Sequence, residues 1–342
     1  MLIPLITKLD IENIDKKEMY KVYDKWSEIA KNTYEENWKS LEYENIDHIV
    51  FAGMGGSGSI GDIFSAILSQ TKLHVTIVKG YALPKTVDKN SLVVITSVSG
   101  NTAEALSILD QAKSSNCNLI AVSSGGKIEQ ICNENKIEYR KIKEYNSPRA
   151  SLVSFIFSML KILKFIIPIK EEDIIESLEN LKQLQNKISS NNLTDSNKAL
   201  SLAKEISGIP LIYYPWGLQA AGIRFKNSLQ ENAKMHAMVE DVVEASHNGI
   251  VAWENESQVF PILLQGDNDN IKTKERWKVL KIYFNNNKIE YKEIFSIKGN
   301  ILAKLMHLIY LLDYTSIYKA VISKIDPTPV KSIDFIKSRL EE

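Results

Sequence analysis

Short apolar runs alternate with amphipathic stretches along the first half of the chain, which is typical of strands alternating with helices. Strands are predicted over 47–52, 74–78, 92–96, 118–123 and 138–141. Between them, helices are predicted over 59–69, 103–114 and 128–134. Strands that alternate with helices form a parallel sheet with right-handed crossovers. The pattern therefore predicts an α/β unit with helices flanking a parallel sheet.

The second half repeats this alternation after a helical region. Strands are predicted over 209–214, 237–243, 259–265 and 291–297, and helices over 218–232, 273–284, 300–322 and 329–340. Two similar units in tandem suggest a pseudo-repeat. We expect a helical extension over 1–45, a first unit over 46–150, a helical connector over 151–200 and a second unit over 201–342. The helix predicted over 12–44 should pack on the first sheet.

Two loops in the first unit are rich in glycine and hydroxyl residues. One runs from Gly53 to Gly58, and the other reads Ser97-Val98-Ser99-Gly100-Asn101-Thr102. Each follows a predicted strand and precedes a predicted helix. Glycine allows backbone N–H groups to converge on a ligand, and a helix N-terminus adds unpaired N–H groups and partial positive charge. The loops therefore predict an anion site, most simply for a phosphoryl group.

The first loop also fits the dinucleotide pattern G-x-G-x-x-G, at Gly53, Gly55 and Gly58. A dinucleotide site expects a carboxylate at the end of the next strand. That strand ends in Lys79-Gly80 instead, so a sugar phosphate fits better. Ordinary turn chemistry is the structural alternative. Only the first unit keeps such loops, which predicts one phosphate site per chain.

These loops resemble the sugar isomerase (SIS) domain family, and later motifs resemble the bifunctional phosphoglucose/phosphomannose isomerases within it. The later motifs are Asn146-Ser147-Pro148-Arg149, Arg224-Phe225-Lys226, Gln230-Glu231-Asn232-Ala233-Lys234, Ser246-His247-Asn248 and Asp326-Pro327-Thr328-Pro329-Val330. The resemblance spans residue 46 to the C-terminus. It implies two tandem SIS domains and a metal-independent aldose–ketose isomerase without a cofactor. The implied substrates are glucose 6-phosphate, mannose 6-phosphate and fructose 6-phosphate, interconverted through a cis-enediolate.

The resemblance also implies roles for particular residues. The phosphate would be held by Gly55, Gly56, Ser57, Ser97, Ser99 and Thr102. Glu231 matches the family's catalytic base, which moves a proton between C1 and C2 and must reach both carbons. Arg149 is a fixed guanidinium suited to an enediolate whose negative charge spreads over two oxygens. A surface glutamate and a solvated helix-start arginine are the structural alternatives.

Ring opening would involve His247 and a lysine near the C-terminus. Family resemblance assigns the histidine to the neighbouring subunit of a homodimer and the lysine to the ring oxygen. Lys337 matches that lysine best, and Lys331 remains the alternative. Thr328 would influence the choice between C2 epimers. His307 lies in an apolar helix and is expected to be a core or interface residue.

Bulk properties narrow the partners. Lys and Arg together number 42 and balance 42 Asp and Glu, which argues against nucleic acid as a partner. Two cysteines, Cys117 and Cys132, fit a reducing compartment. The first ten residues lack signal-peptide features, and the apolar stretch 152–168 contains two lysines, so a cytoplasmic protein without a membrane partner is expected.

Two other functions stay open. One is a non-catalytic sugar-phosphate sensor, although no DNA-binding module is predicted here. The other is an aminosugar-phosphate isomerase.

The helix predicted over 300–322 is apolar nearly all round, as is the one over 151–167. Helices without a polar face need cover on most sides, which favours an obligate homodimer. The alternative is that both helices pack within one chain.

Overall fold

The computed structural model describes residues 6–340, and its N-terminal part is helical only in short pieces. The helices are α1 (Lys8–Ile14), α2 (Met19–Tyr23) and α3 (Trp26–Glu35). The helical character predicted over 12–44 therefore extends only to residue 35, and residues 36–47 contain no helix. The apolar side chains that suggested it are nonetheless buried in the main core, with Tyr20, Tyr23 and Trp26 each at most 1% exposed.

The first sheet has five parallel strands, all of them predicted. They are β1 (His48–Ala52), β2 (His74–Val78), β3 (Ser91–Ser97), β4 (Asn118–Ser123) and β5 (Glu138–Lys141), in the order β2-β1-β3-β4-β5. Every residue of β1 and β3 is buried, as expected for central strands covered by helices on both faces. The crossover helices are α4 (Gly55–Leu68), α5 (Ala103–Lys113) and α6 (Gly126–Asn135).

Three helices connect the two sheets: α7 (Leu152–Ile162), α8 (Glu171–Ile188) and α9 (Lys198–Glu205). The second sheet follows with four parallel strands in the order β7-β6-β8-β9. Its elements are β6 (Ile209–Tyr214), α10 (Gln219–Asn232), β7 (Met238–Asp241), α11 (Val242–Ala245), β8 (Val259–Gln265), α12 (Ile271–Asn286), β9 (Lys292–Phe295), α13 (Ile301–Ile322) and α14 (Lys331–Leu340). The predicted α/β class with two tandem doubly wound units is confirmed.

The long apolar helix α13 is covered by the chain itself. It packs against α8, α9 and α10, and its buried residues run from Leu302 to Val321 with few gaps. Helix α7 is likewise buried. The argument that these helices require a second subunit is therefore wrong, because the connector helices and the N-terminal helices supply the missing cover. The apolar residues left exposed lie elsewhere, notably on α14.

Across residues 6–340, no helix has both the length and the hydropathy needed to cross a bilayer.

Candidate active site

The two predicted phosphate loops lie at the switch point of the first sheet. Strands β1 and β3 are neighbours, but β1 connects to β2 on one side and β3 connects to β4 on the other. Doubly wound sheets bind ligands in the crevice that opens at the carboxyl ends of such strands. The segments 53–58 and 98–102 both begin at these ends, so the topology brings the two loops together.

Specific contacts join the two loops. The Ser57 hydroxyl accepts a hydrogen bond from the Val98 N–H at 3.2 Å. A Cβ on Gly53 would lie only 2.8 Å from the Thr96 carbonyl oxygen, so glycine is required for this approach. The second loop is closed by the Ser97 and Thr102 hydroxyls, which lie 2.8 Å apart. Predicted phosphate ligands from both loops thus share one crevice.

Helix α4 begins inside the first loop. We predicted its start at residue 59, but the helix starts at Gly55, which has a φ of 53°. The residue before it, Met54, provides no side-chain cap. The N–H groups of the first turn therefore remain available to an anionic ligand. Glycine-rich sequences have low helix propensity, which explains why the pattern placed the start too late.

Arg149 connects this crevice to the second unit. The guanidinium is buried, and a Cβ on Gly56 would lie 3.5 Å from the Arg149 Cα. Arg149 Nε donates to Asn232 Oδ1 at 2.7 Å, and Nη2 donates to the Thr328 carbonyl at 2.8 Å. Nη1 lies 3.4 Å from Glu231 Oε2. The structure therefore brings Gly56, Arg149, Glu231 and Thr328 together, four residues predicted separately from the sequence.

A buried ion pair between Arg224 and Asp313 contacts the backbone of Arg149 and holds it in place. Arg224 Nη2 donates to the Arg149 carbonyl at 2.8 Å and to Asp313 Oδ2 at 2.7 Å. The Asp313 side chain is completely buried and also accepts from Ser228 and Tyr23. Burial of this kind is tolerated because the two charges are paired, although Arg224 Nη1 is buried without a hydrogen-bond partner. Arg224 belonged to a family motif, but its partner Asp313 gave no sequence signal.

Sequence reasoning missed Lys234, which lies three residues after Glu231. Its ammonium donates to the Glu231 carbonyl and to the Pro327 carbonyl, the latter at 3.0 Å. Burial, and after it the positive charge of the Arg149 guanidinium, lower the pKa of Lys234 to about 8. Lys234 thus holds the segment before Thr328 against the glutamate helix. Its place in the Glu-Asn-Ala-Lys motif was the available signal.

Asp15 was also missed. Its Oδ1 lies 3.5 Å from the Thr328 hydroxyl, and its Oδ2 accepts from the Tyr20 N–H at 2.8 Å. Burial raises the pKa of this carboxyl. The N-terminal helices therefore contribute to the surroundings of Thr328, although the first forty residues carried little of the family resemblance.

His247 and the lysines of α14 do not join this cluster within the chain. His247 is exposed in the turn after α11, and the strand predicted over 237–243 ends at Asp241 because α11 begins at Val242. Every residue of α14 is exposed, including Lys331 and Lys337. Among residues 6–340, no hydrogen bond or ion pair links His247 or Lys337 to Arg149 or Glu231. Their assignment to ring opening stays a prediction.

At the end of β2, where a dinucleotide site expects a carboxylate, the chain has Lys79. Lys79 extends over the first loop, where a Cβ on Gly58 would lie 3.2 Å from its Cε. The ammonium pairs with both oxygens of Asp62 at 2.7 Å. Burial raises the pKa of Asp62, and the lysine opposes that shift. In the described range 6–340, no three His, Cys, Asp or Glu residues are grouped as metal ligands would be.

Comparison with known families agrees with this architecture. Residues 42–166 match the SIS domain, and residues 195–340 match the bacterial phospho-glucose isomerase C-terminal SIS domain. Among solved structures, the C-terminal domain of glucosamine-fructose-6-phosphate aminotransferase from Francisella tularensis aligns with a TM-score of 0.66 at 16% identity, covering 90% of this chain and 96% of that one. The fold and the site define a protein with two SIS domains.

Curated relatives are more specific. The chain is 31% identical to the bifunctional phosphoglucose/phosphomannose isomerase of Caldicellulosiruptor bescii over 312 residues, covering 89% of this chain and 92% of that protein. It is 29% identical to the Aquifex aeolicus protein of the same name, covering 95% and 99%. The chain belongs to the bifunctional phosphoglucose/phosphomannose isomerase family.

Proposed function

We propose that this protein interconverts glucose 6-phosphate and mannose 6-phosphate with fructose 6-phosphate, using the cluster around Arg149. The observation that carries the proposal is the position of the Arg149 guanidinium. It lies 3.4 Å from the Glu231 carboxylate, while the backbone of the same residue borders Gly56 in the phosphate loop. A substrate whose phosphate occupies that loop would present its other end to Glu231 and Arg149.

The phosphate would be bound by backbone and hydroxyl groups. Gly55 and Gly56 would donate N–H groups from the first turn of α4. Ser57, Ser97, Ser99 and Thr102 would donate hydroxyl groups from both loops. Such donors bind a phosphoryl group through hydrogen bonds and the helix dipole, without requiring a lysine or arginine.

Glu231 would then move the proton. In the aldose-to-ketose direction its carboxylate takes the proton from C2, which leaves a cis-enediolate. It returns the proton to C1 while the hydroxyl proton on O2 moves to O1, so the isomerisation needs no external oxidant or reductant. Negative charge on O1 and O2 would be stabilised by Arg149, whose remaining N–H groups are fixed by Asn232 and by carbonyls of the 327–328 segment. The Glu231 side chain is 24% exposed, which leaves it open to a ligand.

Residues for ring opening would complete the site, and one of them would come from a second subunit. Family resemblance assigns ring opening to His247 of a neighbouring subunit and to Lys337. Helix α14 exposes Ile333, Phe335, Ile336 and Leu340, and an apolar face of this kind is suited to a contact between subunits. A homodimer would allow one chain's His247 to approach the other chain's Glu231. Thr328, beside Arg149, would influence the choice between C2 epimers.

We extend the proposal to the boundaries of the domains and to the cellular compartment of the protein. We propose a division into 1–45, 46–150, 151–200 and 201–342, and the position of α7 and α8 between the two sheets supports it. Cys117 and Cys132 are free thiols, which suits a reducing cytoplasm.

Glu231→Gln tests the catalytic assignment. The amide keeps the size of the side chain but cannot accept the C2 proton, so turnover should fall by about three orders of magnitude or more. Binding of fructose 6-phosphate, measured by calorimetry, should persist. Glu290→Gln, an exposed glutamate on the second unit, is the matched control and should retain activity. Full activity in the Glu231 variant would remove this residue from the mechanism.

A mixing experiment tests the shared site. Glu231→Gln and His247→Ala subunits should each be inactive as homodimers. A mixed dimer has one site with both wild-type residues, so unfolding and refolding the two together should restore roughly a quarter of the activity, as random pairing of equal amounts predicts. A fully active monomer in solution would overturn the shared site.

Glucosamine 6-phosphate belongs in the substrate panel. The chain is also 27% identical to the D-glucosamine-6-phosphate 4-epimerase of Sulfolobus acidocaldarius, over 73% of this chain and 78% of that protein. Turnover of the aminosugar phosphate with no turnover of the two aldose phosphates would favour that alternative.

A further inference from the structure

The second sheet has its own switch point, which corresponds to that of the first. Strands β6 and β8 are neighbours, and their connections diverge to β7 and β9. Segments 215–218 and 266–270 follow these strands, just as the two phosphate loops follow β1 and β3. The rule that places ligands at the carboxyl ends of diverging strands therefore applies to both sheets.

A cleft opens at this second switch point. Its volume is about 540 Å³, and its lining includes the segments after β6 and β8, the first turn of α13, and the end of α4 from the first unit. The size suits a small metabolite. The polar side chains that line it include Gln70, Asn268, Asp269, Thr273 and Lys304.

Lys304 is the informative residue of the cleft. It is only 8% exposed, yet over residues 6–340 its ammonium has neither a hydrogen-bond nor an ion-pair partner. It lies in the first turn of α13, where the helix dipole disfavours positive charge. A charge in this position costs free energy unless an anion accompanies it. The accessible side of the ammonium faces the cleft.

Other donors face the same space. Helices α10, α12 and α13 all begin at the cleft, and α10 has no side-chain cap. The Thr273 hydroxyl, in the first turn of α12, is part of a residue only 9% exposed and has no hydrogen-bond partner among the described residues. The uncapped N-terminus of α10, one hydroxyl and one lysine thus supply donors to a single region, whereas Asn270 and Asn300 cap the first turns of α12 and α13.

The acidic residue of the cleft is already engaged. Asp269 Oδ2 accepts from the Gly266 N–H at 2.9 Å and from Trp277 Nε1 at 3.2 Å. Asp269 and Lys304 attract each other through space, but among residues 6–340 neither a hydrogen bond nor an ion pair joins them, so the ammonium can still bind a ligand. At the mouth, Trp216 is 59% exposed and offers an aromatic surface.

We propose that this cleft is a second phosphate-monoester site, in which Lys304 and Thr273 bind the phosphate and Trp216 covers the organic part of a small phosphorylated metabolite. The first site binds its anion through glycine amides and clustered hydroxyls, whereas this one uses a buried lysine. The prediction of one phosphate site per chain came from the absence of hydroxyl loops here, and the proposal replaces it. It stands independently of the isomerase reaction.

Calorimetry with fructose 6-phosphate tests the proposal. Wild-type protein should bind two molecules per chain, Lys304→Met should bind one, and Thr273→Val should weaken the second site several-fold. Lys298→Met removes a nearby exposed lysine and should leave both sites, which controls for net charge. Ser57→Ala should weaken the other site only. Thermal melting verifies that each variant is folded, and if Lys304→Met does not fold, the isosteric Thr273 variant decides.

Tryptophan emission provides a second measurement. Titration of the second site should change the fluorescence of the wild type and not that of Trp216→Phe. A single site per chain, or two sites retained in Lys304→Met, would overturn the proposal. Inorganic phosphate and fructose are titrated separately, as the two parts of the ligand. If this site binds inorganic phosphate but does not bind fructose 6-phosphate, it is a free-anion site and the proposal of a phosphorylated metabolite is rejected.

Discussion

The two parallel sheets of this protein have the same strand order around their switch points but present different chemistry there. In the first, loops of glycine, serine and threonine meet through the Ser57–Val98 hydrogen bond, and the helix that follows begins uncapped at Gly55. In the second, the corresponding segments contain Trp216 and Asp269, and the positive charge comes from Lys304 on a later helix.

The difference separates what the topology determines from what the loops determine. Diverging connections place a crevice at the carboxyl ends of β1 and β3 and another at those of β6 and β8. Which groups line each crevice depends on a few loop residues that the sheets do not constrain. Only the first crevice is joined to Arg149 and Glu231, so only there do we expect chemistry.

The largest effect should come from Asp313, on the helix that also carries Lys304. Asp313→Leu would leave the Arg224 guanidinium buried without its partner, and we expect the free energy of unfolding to fall by about 3–5 kcal/mol. Urea denaturation measures the loss. If both crevices depend on α13, binding at both should weaken together at temperatures where the variant begins to unfold.

A double variant sharpens this prediction. Arg224→Met with Asp313→Leu removes both charges and should recover part of the lost stability. Recovery should be incomplete because Arg224 also donates to the Arg149 carbonyl. A single Asp313 variant as stable as wild type would show that the pair does not stabilise the fold.

A smaller effect, confined to the first crevice, is expected from Ser97→Ala. The hydroxyl lies 2.8 Å from Thr102 Oγ1 and accepts from the Gly100 N–H at 3.1 Å. Losing a hydrogen bond near a charged ligand costs about 1.5–3 kcal/mol, so KM for fructose 6-phosphate should rise at least about tenfold. The rise should exceed any change in kcat. Ser114→Ala, at the far end of α5, is the control and should leave KM unchanged.

The smallest effect concerns His307, which lies on α13 in the turn after Lys304. Burial lowers the pKa of His307 to about 4, and two lysines contribute in the same direction. Between about pH 6.5 and 4 the unfolded chain binds a proton that the folded chain does not, so stability falls as pH falls through this window. His307→Leu should remove about 1–3 kcal/mol of that loss. An unchanged acid dependence would show that His307 titrates normally.

Much of the fold could be predicted from the sequence because the spacing of apolar residues and the residues that begin or end helices and strands are local properties. Buried strands such as β3 are continuous apolar runs, and the predicted start of α13 at residue 300 lies within one residue of the observed start, where Asn300 caps the first turn through the Ala303 N–H. The two phosphate loops were found for the same reason. The start of α4 was missed because its first residues are glycines.

The convergence of the site could not be predicted in the same way. Arg149 and Glu231 lie 82 positions apart in sequence, and only the packing of α10 against the first unit brings them to 3.4 Å. Without the family resemblance, neither residue stood out from ordinary surface charges. Lys304 was not singled out from the sequence, and only the packed structure shows that it is buried without a hydrogen-bond or ion-pair partner among residues 6–340.

The same limit explains the error about α13. A helix that is apolar on all sides must be buried, but its sequence pattern does not show which elements pack against it. Here the connector helices and the short N-terminal helices do so within one chain. The Tyr310 hydroxyl, for example, donates a hydrogen bond to the Tyr23 carbonyl, and the Tyr314 hydroxyl donates one to Asp24 Oδ1.

One contact also has a consequence for biosynthesis. Arg149 donates to the carbonyls of Pro327 and Thr328, and Lys234 donates to the first of these. A ribosome completes the first sheet long before it reaches residue 327. Until then a nascent chain has the phosphate loops but lacks the acceptors that orient the guanidinium. Turnover must therefore wait until this late segment has emerged and docked.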